Sequence, residues 1–160
     1  MTTNHVVVIE KMQTQHIPAL CVIDAGRENQ PQEEDFKEYL ESGCCGRVAV
    51  EGGTAIGFIV VEDVVTHYEL RSLGVAVPHR RKGVGTRLVQ AVLSAIRAGG
   101  KSVIVNAAPG SIAEQFLTAL HCEQIAVRCR GDWDPPRSTE KGRQRKVRSD
   151  QFPFHRRYRL

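Results

Sequence analysis

Apolar and polar residues alternate along some stretches of this chain and repeat every three to four positions along others. Alternation is typical of strands with one buried face, and the longer repeat is typical of helices packed on one side. The pattern predicts the order β-α-α-β-β-β-α-β-α-β-β, with strands over residues 5–10, 47–51, 54–61, 68–77, 102–106, 125–130 and 154–160. It predicts helices over residues 14–27 and 33–42, from residue 84 to the glycines at 99 and 100, and from Ser111 onward.

Two of these elements are well marked. Gly52-Gly53 joins the second and third strands and supplies the positive φ angles that a tight hairpin turn needs. The third helix has a clear apolar stripe, because four apolar residues recur at intervals of four: Val84, Leu88, Val92 and Ile96. Hairpins followed by a β-α-β crossover predict an α/β (α+β) fold class. The expected architecture is a mixed, mostly antiparallel sheet of six to seven strands flanked by about four helices.

Composition narrows the class of protein. A chain of 160 residues is expected to form one domain over 1–160, with a polar, basic loop at about 136–151 before the last strand. No stretch approaches the roughly 20 apolar residues that span a bilayer, and the first residues do not form a secretory signal. The five cysteines lack C-x-x-C spacing, so we expect reduced thiols, no metal site and a cytoplasmic location.

Charge is unevenly distributed along the chain. From residue 137 to the end there are nine Lys or Arg and two Asp or Glu, a net charge of +7. The first 136 residues hold 13 basic and 16 acidic residues, a net charge of −3. One interpretation of the basic segment is an attraction for an acidic or RNA-containing partner, and the other is a solvated loop.

A cation cluster stands where a strand turns into a helix. Arg80, Arg81 and Lys82 come directly before Gly83 and Gly85. The first N–H groups of a helix have no partner within it, and with the helix dipole they attract anions. The glycines keep side chains away from those groups, and the pattern favours a diphosphate over a single carboxylate. A glycine-containing turn with solvated cations is the alternative.

The run from Arg80 to Gly85 matches the Q/R-x-x-G-x-G/A motif, and from Val7 to about Arg130 the sequence resembles the GNAT superfamily of N-acetyltransferases. The first two predicted helices are similar to those of the branch that acetylates ribosomal-protein N-termini. The resemblance implies acetyl-CoA as cosubstrate, with no metal. Its pantetheine arm is expected on Leu73, Gly74 and Val75, with a strand bulge at Gly74. Its pyrophosphate is expected on the turn: Arg80, Arg81, Lys82, Gly83, Val84, Gly85 and Thr86.

Glu69 is the candidate catalytic base. Transfer of acetyl to an amine needs a neutral nitrogen, and the pKa of an amine is about 8 at a chain N-terminus and about 10.4 in lysine. Glu69 precedes Arg80 by 11 residues, the spacing at which histone-acetylating members of the family place their glutamate base. Strand alternation predicts that Glu69 shares a face with Arg71, Leu73 and Val75.

Other interpretations of this strand stay open. Glu69 is alternatively an exposed carboxylate paired with Arg71. His67 and Tyr68 are weaker candidates for the base, near the same end of the strand.

The second half of the site departs from the family pattern. Members of this branch carry an asparagine, then seven residues later the tyrosine that protonates the departing CoA thiolate, then a Gly-Phe pair. The corresponding residues here are Gly110, Leu117 and His121-Cys122, and Val105 replaces the branch's glutamate on the fifth strand. In one interpretation solvent supplies the proton to the CoA thiolate, with Cys122 and His121 as weaker candidates. In the other, the site binds acyl-CoA without efficient chemistry.

Three classes of function follow. The first is direct acetyl transfer from acetyl-CoA to a primary amine of a protein or peptide, or on the same fold to a small-molecule amine. The second is an acyl-CoA-binding module with little or no catalysis. The third is an RNA- or ribosome-associated protein that acts through its basic segment.

Overall fold

The computed structural model describes residues 6–23, 30–96, 101–107, 110–129 and 154–160. The chain forms two compact units, the first ending at Val103 and the second beginning at Ile104. The basic loop expected at about 136–151 lies outside the described residues. The glycines at 99 and 100, expected to end the third helix, also lie outside them.

The first unit contains four antiparallel strands that pair in chain order: β1 (Val7–Lys11), β2 (Cys45–Glu51), β3 (Thr54–Val64) and β4 (His67–Val75). The predicted hairpin between β2 and β3 is confirmed. Gly52 and Gly53 form its turn with φ angles of 57° and 81°. These left-handed angles match the twist of a hairpin, and glycine adopts them without a steric cost.

Two helices cover one face of these strands: α1 (Ile17–Ile23) and α2 (Glu33–Glu41). The rings of Phe36 on α2 and Phe58 on β3 meet edge to face, with centroids 5.1 Å apart. Around them the buried apolar side chains form one cluster: Met12, Ile17, Leu20, Ile23, Phe36, Val48, Phe58 and Val60. This face of the sheet is called the α1/α2 face below.

The start of the first helix differs from the prediction. A single 3-10 turn occupies Thr14–His16, and the α-helix begins only at Ile17. The backbone N–H of Gln13 donates to Nδ1 of His16 at 3.1 Å. Gln13 is therefore the N-cap residue of this turn.

Helix α3 (Val84–Ile96) packs on the opposite face of the strands, and its predicted stripe is buried: Val84, Leu88, Val89, Val92 and Ile96. The helix approaches β3 most closely at Gly57. A Cβ on Gly57 would lie 3.2 Å from Cδ1 of Leu88, 3.3 Å from Cγ1 of Val84 and 3.1 Å from the carbonyl oxygen of Gly74. The first turn of α3 is therefore seated on β3, beside the end of β4. The face of the sheet that α3 covers is called the α3 face below.

A Gly57→Ala substitution is expected to destabilise the protein by about 1–3 kcal/mol, because its methyl group has to displace two side chains or a backbone carbonyl. The free energy of unfolding in guanidinium chloride measures the effect. Thr54→Ala, at the exposed start of the same strand, is expected to change stability by no more than about 0.5 kcal/mol. Equal unfolding midpoints for the two variants would contradict this account of the contact.

The second unit contains β5 (Val103–Ala107) except for its first residue, together with α4 (Ile112–Ala119), β6 (Glu123–Cys129) and β7 (Phe154–Arg159). Strand β7 pairs antiparallel with both β5 and β6. The helix predicted from Ser111 onward is confirmed, and Ser111 caps it, because Oγ of Ser111 accepts the N–H of Glu114 at 3.1 Å. Oε2 of Glu114 in turn accepts the N–H of Gly110 at 2.6 Å.

The predicted α/β class is confirmed, with mostly antiparallel strands and four α-helices among the described residues. The order of strands and helices also follows the prediction. Over those same residues, no helix combines the length and the apolar character that crossing a membrane demands.

Candidate active site

The turn between β4 and α3 is open on one side. A 3-10 turn over Val77–His79 leads into it, and the chain then passes through Arg81 and Gly83 with φ angles of 62° and 79°. Nothing lies within 4 Å of a Cβ placed on Gly83. The N–H of Arg87 donates to the carbonyl of Gly83 at 3.0 Å, which starts the helical hydrogen bonds. Backbone N–H groups at such a turn and helix start converge on a bound anion.

The turn is joined to the end of β4 by a side chain. Nε of Arg80 donates to the carbonyl oxygen of Val75 at 2.8 Å. Arg80, Arg81 and Lys82 are all exposed, so their charges face solvent around the open turn. The structure thus brings together the two segments that the sequence assigned to the cosubstrate.

The strand segment Leu73–Val75 keeps a regular register with β3, and Gly74 lies opposite Phe58. The register shifts three residues earlier, between Leu70 and Ser72, so Arg71 is an extra, bulged residue. The bulge expected at Gly74 is therefore not found on the β3 side, and for the other edge of β4 it stays a prediction.

The bulge decides which face each side chain of β4 occupies. Residues directly opposite each other in an antiparallel pair share a face. Glu69 lies opposite Glu62 on the α1/α2 face, whereas Leu73 lies opposite Ile59 on the α3 face. The prediction that Glu69 shares a face with Leu73 and Val75 is wrong, because one extra residue reverses the alternation.

Glu69 belongs to a charged cluster on the α1/α2 face. Its side chain is 21% exposed, with Oε1 3.5 Å from Nη1 of Arg71 and Oε2 4.0 Å from Nε2 of His67. Nε and Nη2 of Arg71 both contact Oε2 of Glu62, the first at 2.5 Å. The ion pair with Arg71 that the sequence offered as an alternative is present, but the Glu69 side chain is partly buried rather than exposed.

Two features of this cluster escaped the sequence analysis. Leu70 and Leu73 are three residues apart with two polar residues between them, a break in alternation that signals a bulge. Tyr39, on α2, is the second feature. Burial raises the pKa of Tyr39 to about 12, and the charge of Arg71 acts on the same hydroxyl in the opposite sense.

The second unit holds the positions where the family pattern fails. Leu117 on α4 is buried, with 2% of its surface exposed, and it carries no proton to donate. His121 is exposed beyond the helix end with a φ of 57°, where the family places glycine. The N–H of Cys122 donates to the carbonyl of Leu117 at 3.0 Å, and burial raises the pKa of the Cys122 thiol. A thiol with a raised pKa is a weaker proton donor.

In the first unit, strand β4 carries a carboxylate and leads into a turn that can bind an anion. The open turn at one end of β4 suits a diphosphate, and Glu69 toward the other end suits proton abstraction. Within the described ranges, no three His, Cys, Asp or Glu side chains come together as a metal site requires.

The sequence matches one family model, and the fold is similar to several solved structures. Residues 12–119 match the model of the acetyltransferase (GNAT) family. The fold is similar to the ribosomal-protein-S18-alanine N-acetyltransferase from Escherichia coli, with 15% identity, a TM-score of 0.73 and coverage of 97% of this chain and 93% of that one. It is similar to Ard1 from Thermoplasma volcanium, with 18% identity, a TM-score of 0.74 and coverage of 96% of both chains.

A third similar structure is a GNAT family acetyltransferase from Elizabethkingia anophelis with acetyl-CoA bound. It is 16% identical, with a TM-score of 0.65, and the match covers 96% of this chain and 97% of that one. At these identities the likeness concerns the fold. No curated protein matches the chain.

Proposed function

The chain belongs to the acetyltransferase (GNAT) family, and on that premise we propose that it transfers acetyl from acetyl-CoA directly to a primary amine of a protein or peptide. The observation that carries the proposal is the open turn at Gly83, with its positive φ and its exposed cations. We further propose that both compact units act as one domain, since the family match extends from the first unit into the second, as far as residue 119.

The cosubstrate is held by the end of β4 and the turn that follows. The backbone of Leu73, Gly74 and Val75 binds the pantetheine arm. The N–H groups and cations from Arg80 to Thr86 bind the pyrophosphate, which fits because no side chain occupies the space at Gly83. A similar fold from Elizabethkingia anophelis was solved with acetyl-CoA bound, which supports this assignment.

Glu69 is proposed as the general base. The ammonium form of the acceptor loses a proton to the Glu69 carboxylate, and the neutral nitrogen then attacks the thioester carbonyl. The new C–N bond forms as the C–S bond breaks, the nitrogen releases its second proton to solvent to give the amide, and CoA leaves as a thiolate. Because Leu117 carries no acidic proton, we propose that solvent protonates that thiolate.

A protein or peptide acceptor is favoured by similarity to two folds, one of which is described as acting on the alanine of a ribosomal protein. An intracellular acetyl-CoA supply makes the cytoplasm the proposed location. The basic segment from residue 137 onward, of which the structure describes only residues 154–160, remains a proposed contact for an acidic or RNA-containing partner.

The buried apolar Leu117 favours a second candidate, a module that binds acyl-CoA with weak catalysis or none. Acetyl transfer to a small-molecule amine is a variant of the first candidate, acetyl transfer to a protein or peptide amine. The alternatives differ in what becomes acetylated, so one experiment separates them.

The test uses acetyl-CoA labelled in its acetyl group and three acceptors. These are a lysine-free peptide with a free α-amine, a peptide with a blocked N-terminus and one lysine, and a polyamine. Mass spectrometry is expected to find the label on a peptide amine. Label on the polyamine alone would support the small-molecule alternative, and calorimetric binding of acetyl-CoA without any transfer would support the non-catalytic module.

A further inference from the structure

We propose that Arg71 and Glu62 are positioning residues for Glu69, which they hold in place on the bulge of β4. This inference rests on the proposed function, because it concerns the residue proposed there as the base. It adds two residues on neighbouring strands that the cosubstrate site does not use. It also gives the bulge a role beyond shaping the strand.

The bulge places Arg71 between the two carboxylates. Arg71 is the residue without an opposite number on β3, and it falls where the pairing passes from Val61 to Val60. Its side chain lies on the α1/α2 face, because it contacts both Glu62 and Glu69 there. Bulges re-aim side chains in this way and are frequent beside active sites.

The carboxylates need such a cation. Glu62 and Glu69 lie directly opposite each other in the β3–β4 ladder. Like charges in that position repel, and with Arg71 between them the three charges sum to −1. An arginine is always charged in proteins, so the bridge persists at every pH where the carboxylates are ionised.

The two contacts of Arg71 are unequal. Nε lies 2.5 Å from Oε2 of Glu62 and Nη2 contacts the same oxygen, whereas Nη1 lies 3.5 Å from Oε1 of Glu69. The guanidinium is therefore anchored on Glu62, and it reaches Glu69 at ion-pair distance rather than in a close hydrogen bond. Arg71 therefore orients the Glu69 carboxylate but binds it less tightly than it binds the Glu62 carboxylate.

The surroundings strengthen these charges. The side chain of Arg71 is 15% exposed and that of Glu69 is 21% exposed, while Glu62 is more open at 38%. The hydroxyl of Tyr39 and the thiol of Cys44 lie near enough for the charge of Arg71 to act on both. Partial burial lowers the local dielectric, so displacement of the guanidinium changes the orientation of Glu69 more than it would in water.

The test measures kcat and KM for the acceptor amine in Glu62→Gln, Arg71→Gln and the double variant. It repeats Arg71→Gln in a Glu69→Gln background. We expect Glu62→Gln and Arg71→Gln each to lower kcat by about tenfold with KM little changed, an effect within the range of contacting residues. In the Glu69→Gln background, Arg71→Gln is expected to cause no further loss, because its action passes through Glu69.

Asp63→Asn is the matched control. Asp63 is the neighbour of Glu62 on β3 and forms its own ion pair, 2.5 Å from Nζ of Lys101. Lying opposite Tyr68, it belongs to the other face, so this variant is expected to keep wild-type kcat. The affinity for acetyl-CoA, measured by calorimetry, shows whether a variant is folded, since a folded variant retains the cosubstrate site. Arg71→Lys is a second, more conservative variant that tests for the same folding defect.

The outcomes separate the inference from the function on which it rests. If Glu62→Gln and Arg71→Gln both keep the wild-type kcat, the inference is overturned. If Glu69→Gln loses activity in the same experiment, the proposed base is still upheld. Equal losses from Arg71→Gln in both backgrounds would also overturn the inference, because they indicate a structural role. Full activity of Glu69→Gln would remove the proposed base itself.

Discussion

Replacing Gly83 with glutamate is expected to abolish acetyl-CoA binding. The glutamate side chain would enter the open space of the turn and set a negative charge at the proposed pyrophosphate site. Like charges placed together cost several kcal/mol, so we expect the affinity to fall by about a hundredfold or more. Titration calorimetry with acetyl-CoA, with CoA as a second ligand, measures the loss.

Gly43→Glu is the matched control. Gly43 has a φ of 77° and, like Gly83, nothing within 4 Å of its Cβ position, so it suffers the same backbone strain and gains the same charge. Both variants are expected to lose about 1–2 kcal/mol of stability. Only Gly83→Glu is expected to lose affinity for acetyl-CoA. Wild-type affinity in Gly83→Glu, or an equal loss in Gly43→Glu, would contradict the assignment of the turn.

Replacing Glu69 with glutamine is expected to lower kcat by about 10²–10⁴-fold, the usual contribution of a general base. Glutamine keeps the size of the side chain and removes its ability to take a proton. Because an amine deprotonates unaided as the pH approaches its own pKa, the deficit is expected to shrink at high pH. It should shrink sooner for a chain N-terminus than for lysine. Initial rates between neutral and alkaline pH measure this.

Glu10→Gln removes the same charge from another strand. Oε2 of Glu10 lies 3.6 Å from Nε2 of His16, so it too is a strand carboxylate beside a histidine. This variant is expected to leave the rate unchanged. A pH-independent deficit in Glu69→Gln, or a similar deficit in Glu10→Gln, would indicate that Glu69 acts on structure and not as a base.

Local patterns in the sequence predicted most of the fold. The stripe of α3 follows from a helical period that places Val84 and Leu88 on one side, and burial of that stripe needs no knowledge of the partner strand. The turn at Gly52-Gly53 follows from backbone angles that few other residues adopt. The cation-flanked turn at Gly83 was predicted for the same reason, because its chemistry lies within a short run of residues.

The charged cluster could not be predicted in the same way. Contact between Glu62 and Arg71 depends on the register of two strands, which is set by pairing over the whole hairpin rather than by adjacent residues. An alternation rule applied without a bulge placed Glu69 on the wrong face. The three-residue spacing of Leu70 and Leu73 held the signal, but only the paired strand shows where the extra residue falls.

Strand β4 consists of two segments whose side chains are out of phase. Before Arg71 the odd-numbered residues face α1 and α2, and after it the even-numbered ones do. Substitutions at Leu73 therefore alter packing beneath α3 and not the side of the strand that carries Glu69, so the proposed cosubstrate half and the proposed base half can diverge independently in evolution. Deleting position 71 would remove the bulge and leave Glu69 opposite Glu62, because Leu70 and Ser72 already face opposite sides of the sheet.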